Sequence, residues 1–246
     1  PPYTRATAHS AGWQWRIPLQ HRTGNGHVFS SEFMQAEQAE KILMQNLDSP
    51  AISHAKLINF TTGKRKAFWH KNCVAIGLSS GFMEPLESTS IHLIQSAIAR
   101  LLAFFPDKTF NQANINEFNK QTHFEYDTIR DFIILHYKAT QRTDSEFWRY
   151  CKNMPVPDSL AEKFELFNAN GHVSRNKNEL FSENSWVEVL FGQNITPASY
   201  HPLVDMMSET ELAKNINSIE HVVKQCVDYM PSQQEYLQHM LGAEKL

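Results

Sequence analysis

Two glutamates, Glu84 and Glu87, stand around Pro85-Leu86, directly ahead of Ser88, Thr89 and Ser90. Upstream, the apolar run Cys73–Ile76 reads as part of a strand, and Gly77, Ser79, Ser80 and Gly81 make a turn of small residues. Downstream, Ile91, Ile94, Ile98, Leu101 and Phe105 repeat at helical spacing until Pro106 ends the run. A strand, a small-residue turn and a helix start together suit an anion or the polar edge of a cofactor. The first helical turn leaves N–H groups unpaired, its dipole favours negative charge, and glycine lets a ligand approach the backbone closely. The plainer reading is a helix capped by Ser88 or Thr89, with the two glutamates complementing the dipole. A second pair, Trp13 and Trp15 in GWQWRIP, lies two residues apart and so shares one face of a strand. Two large aromatics on one face serve equally as core or as the wall of a planar ligand's pocket.

The elements that must position these residues change character along the chain. Gly12–Ile17 alternates apolar and polar residues, Gly24-Asn25-Gly26 is a strong turn signal, and His27–Phe29 reads as the returning hairpin strand. Ser30 or Ser31 is placed to cap a helix running to about Leu47. Lys56–Thr61 and Lys64–Trp69 flank Thr62-Gly63 as a second predicted hairpin, and Lys71–Leu78 follows as a strand. Beyond the helix ending at Pro106, Ile115–Tyr137 predicts another, with Phe118, Ile129, Phe132 and Ile133 inward. Shorter helices are predicted over Ser145–Cys151, Asp158–Asn168 and Ser185–Phe191, and a last one over Thr210–Tyr229. A sheet-rich first third followed by helices predicts an α+β fold with a helical C-terminal cap.

The bulk properties narrow the function classes. The chain has 246 residues, 41% hydrophobic and 20% charged, in the range of an ordinary globular protein. A net charge of -3 offers no electrostatic case for nucleic acid or an anionic membrane, and neither is an expected partner. No apolar stretch approaches the roughly 20 residues a membrane span needs. Three scattered cysteines, Cys73, Cys151 and Cys226, fit reduced thiols and a cytoplasmic location better than a disulfide framework. Twelve histidines include no HExxH and no His–Cys spacing of a zinc site, so no metal site is expected.

GWQWRIP resembles the W-x-W-x-I-P signature of the flavin-dependent (tryptophan) halogenase family, and KNCVAIGLSSGFMEPLEST (Lys71–Thr89) resembles its flavin- and halide-binding segment. FFPDK (Phe104–Lys108), RTDSEFWR (Arg142–Arg149), FGQNITP (Phe191–Pro197) and DYMPS (Asp228–Ser232) match in the same order. The resemblance implies part of a flavin monooxygenase-like α/β fold. It divides the chain into a flavin- and halide-binding part over 1–106 and a helical substrate-side cap over 107–246. It also implies an enzyme that uses reduced FAD and oxygen to turn chloride or bromide into hypohalous acid. That species passes through a tunnel to an electron-rich aromatic such as tryptophan or indole.

By the same resemblance Glu87 is the acidic residue that polarises the halogenating species or takes the proton from the substituted ring, and Ser88 assists it. Backbone groups of Thr89 and Ser90 hold the halide, which fits unpaired N–H groups at a helix start. Gly77, Leu78, Ser79 and Ile91 line the flavin. Trp13 and Trp15 keep substrate from approaching the flavin directly. The implied partners are a separate flavin reductase, a small aromatic substrate and a second copy of the chain.

Three departures from the family pattern carry consequences. The strand–GxGxxG–helix unit for the ADP part of FAD and the family's catalytic lysine have no counterpart here. The chain therefore reads as the C-terminal portion of a halogenase about twice its size, inactive on its own. The alternatives are a non-catalytic remnant or binding module of the same fold, and a flavin monooxygenase. Ser90 replaces a glycine of the tryptophan-specific enzymes, which leaves the preference between chloride and bromide open. The segment before Ser185 lacks the paired tyrosines and the tryptophan that grip free tryptophan, and Phe181 in Asn178–Phe181 is the predicted substrate-stacking residue.

Overall fold

A computed structural model describes residues 3–240 of the chain. In chain order the elements are β1 (Arg5–His9), β2 (Gly12–Pro18), β3 (Thr23–Phe29) and α1 (Ala36–Gln45). Short ladders follow: β4 (Gly63–Lys64), β5 (Trp69–His70), β6 (Cys73–Val74) and β7 (Gly81–Phe82). The helices are α2 (Ser90–Ala103), α3 (Gln112–Lys138), α4 (Glu146–Asn153), α5 (Asp158–Asn170), α6 (Glu183–Gly192), α7 (Glu209–Tyr229) and α8 (Gln233–Met240). The chain divides into two compact units. One comprises the described residues up to Lys56, Asp144–Phe147 and the described residues from Tyr200 on; the other comprises Leu57–Thr143 and Trp148–Ser199.

In the first unit, β1, β2 and β3 form an antiparallel sheet in which Trp15 faces Ala6 on one side and Gly26 on the other. The Gly24-Asn25-Gly26 stretch is not the predicted turn; it lies inside β3, and the reversal occurs at Leu19–Arg22, where the Leu19 N–H donates to the Arg22 carbonyl. The physical reason is Trp15: a Cβ on Gly26 would stand 2.3 Å from its indole and one on Gly24 3.2 Å from it. These glycines make room for a cross-strand ring. On the opposite face, His27 Nδ1 meets the Ala39 carbonyl at 3.0 Å and the Gln14 amide donates to the Asn46 carbonyl, so α1 packs there. Alternation along β2 therefore puts Trp13 and Trp15 on the face away from α1. The predicted helix from Ser30 begins only at Ala36, because the Ser30 carbonyl instead accepts from Phe33 and Met34 in a turn.

The second unit is organised by α3. One of its faces carries Ile115, Phe118, Tyr126, Ile129 and Ile133 into a core with Phe68, Trp69 and Leu93. The other carries Phe132 and Leu135 into a core with Leu160, Phe167, Trp186 and Leu190. Burying each such side chain contributes about 1.5–3 kcal/mol, so α3 is held from both sides.

The expected sheet-rich first third is not what this region shows. Past Phe29 every strand is two residues long, and neither the 56–69 hairpin nor a strand over 71–78 forms. Leu57, Ile58 and Phe60 are all exposed, so that segment buries no apolar face, and a hairpin without one is marginal. Apart from α1, the helical predictions agree with the structure to within a few residues, and β1 and α8 are additions. The apolar stripe of α2 departs in orientation: Leu93 and Ala97 are buried, whereas Ile91, Ile94 and Ile98 are exposed.

Candidate functional site

The segment Gly77–Ser90 is pinned before it reaches α2. Gly77 takes φ +68°, which favours glycine, and opens a 3-10 turn over Gly77–Ser79. The buried Ser80 hydroxyl donates to the Gly77 carbonyl at 2.6 Å and pairs with the Tyr126 hydroxyl at 2.8 Å. Burial raises the Tyr126 pKa against the opposing pull of Ser80. Arg65 donates from its side chain to the Ser79 carbonyl and from its backbone to the Ser80 carbonyl. Gly81 sits so near β4 that a Cβ would lie 2.6 Å from the Gly63 carbonyl oxygen.

A second 3-10 turn, Pro85–Glu87, follows, with the Glu84 side chain accepting from the Leu86 N–H at its start. Glu87 does not complement a helix dipole: its Oε1 lies 2.9 Å from Nε2 of His136, on α3. Glu87 Oε2 has no hydrogen-bond or ion-pair partner among the described residues. Ser88 takes φ +50°, left-handed, and its hydroxyl turns back to the Pro85 carbonyl. Thr89 is buried at the N-cap of α2 but makes no capping bond with its side chain. The plain cap reading thus fails in its particulars: neither Ser88 nor Thr89 caps α2, and its first N–H groups have no helical partner.

α2 is tied to α3 by buried Glu125, which accepts from Ser96 and Arg100 at 2.9 Å each and meets His92 Nε2 at 3.0 Å. Arg100 also donates to Thr122 at 2.8 Å. A carboxylate with three partners is a sound buried charge, where an unpaired one would be costly. This network sets the axial position of α2, and hence of the Glu87–Ser90 corner, against His136.

His136 is itself oriented. Its Nδ1 lies 2.8 Å from the Phe132 carbonyl, and its ring meets Phe132 edge-on at 4.9 Å. Burial alone lowers its pKa most strongly, but the Glu87 hydrogen bond, the Phe132 carbonyl and the charges of Glu87 and Glu84 outweigh it and raise the pKa above 6.5. Phe132 stacks on Phe181 at 3.8 Å, so Phe181, Phe132, His136 and Glu87 form one continuous series of contacts.

Among the other predicted residues, Leu78 is 77% and Ile91 70% exposed, Ser79 is exposed with its hydroxyl on the Ile76 carbonyl, and Ser90 is exposed at the start of α2. Gly77, Leu78, Ser79 and Glu87–Ile91 belong to the second unit, as does Phe181; Trp13 and Trp15 belong to the first. His136 and Glu125 were missed in the sequence, and Phe132 was read only as an inward residue of its helix, because no local signal pairs α3 with Glu87. An open depression of about 680 Å³ is lined by Trp69, His70, Phe110, Gln112 and Asn116, and none of the predicted site residues lines it. Among the described residues no group of three or more His, Cys, Asp or Glu is placed to hold a metal, and no helix is long and apolar enough to cross a membrane.

The sequence model of the tryptophan halogenase family matches residues 1–209. The chain belongs to this family. It is 35% identical over 98% of its length to tryptophan 6-halogenase SttH of Streptomyces toxytricini, covering 47% of that protein. Among solved structures it is similar to BrvH, a flavin-dependent halogenase from Brevundimonas sp. BAL3, with TM-score 0.92 and 47% identity over 97% of this chain and 48% of BrvH. Xcc4156, a flavin-dependent halogenase from Xanthomonas campestris, gives TM-score 0.93 and 47% identity over 96% of this chain and 48% of that one. The chain spans about half the length of the curated relatives it matches, 47% and 48% for the first two. The family's fold is therefore shared by this half, in a mixed α/β arrangement rich in helix.

Proposed function

We propose that this chain is the C-terminal portion of a flavin-dependent halogenase acting on an electron-rich aromatic, tryptophan, indole or a relative of them, with chloride or bromide. The observation that carries the reading is Glu87: a half-buried carboxylate held through one oxygen by His136, at the corner where the pinned turn enters α2.

The residues present fit the ring edge of a flavin. Gly77 and Ser79 bring backbone to the surface of the turn, and Leu78 and Ile91 offer large apolar side chains with little cover from the described residues. Reduced FAD, when bound, supplies the electrons with which oxygen converts halide to hypohalous acid. The unpaired N–H groups at Thr89 and Ser90 favour the halide anion. Glu87 Oε2 then polarises the halogenating species or receives the proton that the ring carbon gives up, a general-base role. Ser88 orients that exchange from its left-handed position, and Phe181 offers the aromatic surface for the substrate.

In this reading residues 1–106 complete the flavin and halide module and 107–246 form the substrate-side cap. A separate flavin reductase delivers FADH2 in the cytoplasm, the enzyme pairs as a homodimer, and this chain alone is inactive. The test uses the protein expressed from its complete reading frame, supplied with FADH2, halide and a panel of aromatics, with products read by mass spectrometry. Glu87→Gln is expected to abolish halogenated product while flavin binding survives. Near-normal turnover in that variant would remove Glu87 from the chemistry.

A further inference from the structure

His136 has a hydrogen-bonding constraint that decides what Glu87 can do. A carbonyl oxygen only accepts, so Nδ1, 2.8 Å from the Phe132 carbonyl, carries a hydrogen. In a neutral imidazole with that tautomer, Nε2 is an acceptor. It faces Glu87 Oε1 at 2.9 Å, and two lone pairs at that distance repel. One proton must therefore lie between them, either as imidazolium with carboxylate or as imidazole with carboxylic acid. The charged groups that act on His136 are Glu87 and Glu84, both acidic, and the Phe132 carbonyl adds a third negative end; all three favour the imidazolium.

Resting on the reading of Glu87 as the reacting carboxylate, we propose that His136 is its positioning residue: Nε2–H holds Oε1 and leaves Oε2 as the oxygen that meets the reacting atoms. The imidazolium N–H fixes the rotamer of Glu87. Loss of the His136 proton turns the contact repulsive and frees the carboxylate. The site thus has an alkaline limit set by His136. Phe132 links this to the substrate side, because it orients His136 through its carbonyl and ring and also stacks on Phe181.

The test uses the protein from its complete reading frame, labelled with ¹³C-histidine, with His136 assigned by its absence in His136→Gln. The His136 titration midpoint is expected above 6.5 in the wild type and lower in Glu87→Gln. An unchanged midpoint in Glu87→Gln would overturn the pairing, whatever the activity. In turnover assays His136→Ala is expected to lower kcat roughly ten- to hundred-fold, as removal of an orienting partner does, with KM for the aromatic little changed. His136→Gln presents an amide N–H at every pH, so it should restore most of kcat and abolish the alkaline fall. A purely structural role would lower the melting temperature of both variants and leave the pH profile in place, which overturns the proposal. If Glu87→Gln is inactive while both His136 variants keep the wild-type profile, the positioning role fails and the reading of Glu87 stands. If Glu87→Gln stays active, that reading fails on its own account.

Discussion

The indole of Trp15 lies across Gly26 of the adjacent strand, so close that a Cβ at Gly26 would stand 2.3 Å from the ring. Gly26→Ala therefore forces either the ring or the strand to move, and overpacking of this kind costs about 1–3 kcal/mol. Gly24→Ala meets the same ring at 3.2 Å and should cost less. Urea unfolding followed by tryptophan fluorescence ranks the two variants. Equal losses would show that Trp15 does not sit where the register places it.

Asn119 holds the entrance of the Phe68–Trp69 segment to the core. Its Oδ1 accepts from both backbone N–H groups at 2.8 Å, and its Nδ2 donates to the Trp69 carbonyl at 2.9 Å. Asn119→Leu keeps the bulk and removes all three bonds, leaving buried backbone groups unsatisfied at about 1–3 kcal/mol each. The expected loss is about 3 kcal/mol or more by the same scale, measured as a shift of the denaturation midpoint. A loss below about 1 kcal/mol would mean that water replaces the side chain.

These two sites show which features were legible in the sequence. The helices α3 to α6 were, because a buried stripe repeats locally, as Phe118, Ile129, Phe132 and Ile133 do; α7 was read as well, although none of its residues is buried. Gly24-Asn25-Gly26 was not, since the dipeptide that signals a turn is used here for a contact with a residue on another strand. The helical spacing of Ile91, Ile94 and Ile98 revealed α2 but not its orientation, because their exposed side chains and the buried Leu93 and Ala97 are alike apolar. Glu87 could be singled out from its motif. His136 could not, since an ion pair between a turn and the far end of a long helix exists only once α3 is docked.

Ser88 is held at φ +50°, a region that a β-branched side chain scarcely tolerates. Ser88→Val is expected to destabilise the protein by about 1–3 kcal/mol, the cost of such backbone strain. Ser88→Gly carries no such penalty. Thermal unfolding of both variants makes the comparison. If valine were as stable as glycine, the corner between Glu87 and α2 would not require the left-handed turn.

Cys151 is buried, and that burial pushes its thiol up to about 11, whereas Cys73 and Cys226 are exposed. The thiolate is the nucleophile. Iodoacetamide at mildly alkaline pH should therefore label Cys73 and Cys226 and spare Cys151 until denaturant is added, as peptide mass spectrometry would show. Prompt labelling of Cys151 in the folded protein would contradict the packing around α4.

Stability should carry the His136–Glu87 pair in its pH dependence. The folded-state pKa of His136 lies above its ordinary 6.5, so the folded protein holds the proton more tightly than the unfolded chain. That contribution is fully present below about 6.5 and is lost as pH rises through the raised folded value. His27 acts in the other direction: burial lowers its pKa, so its contribution is lost as pH falls. Subtracting the His136→Gln curve from the wild-type curve removes His27 and every other group common to both. The difference should favour the wild type at pH 6 and decline toward pH 8. A difference that stays flat across that window would mean that His136 carries no extra proton in the folded state.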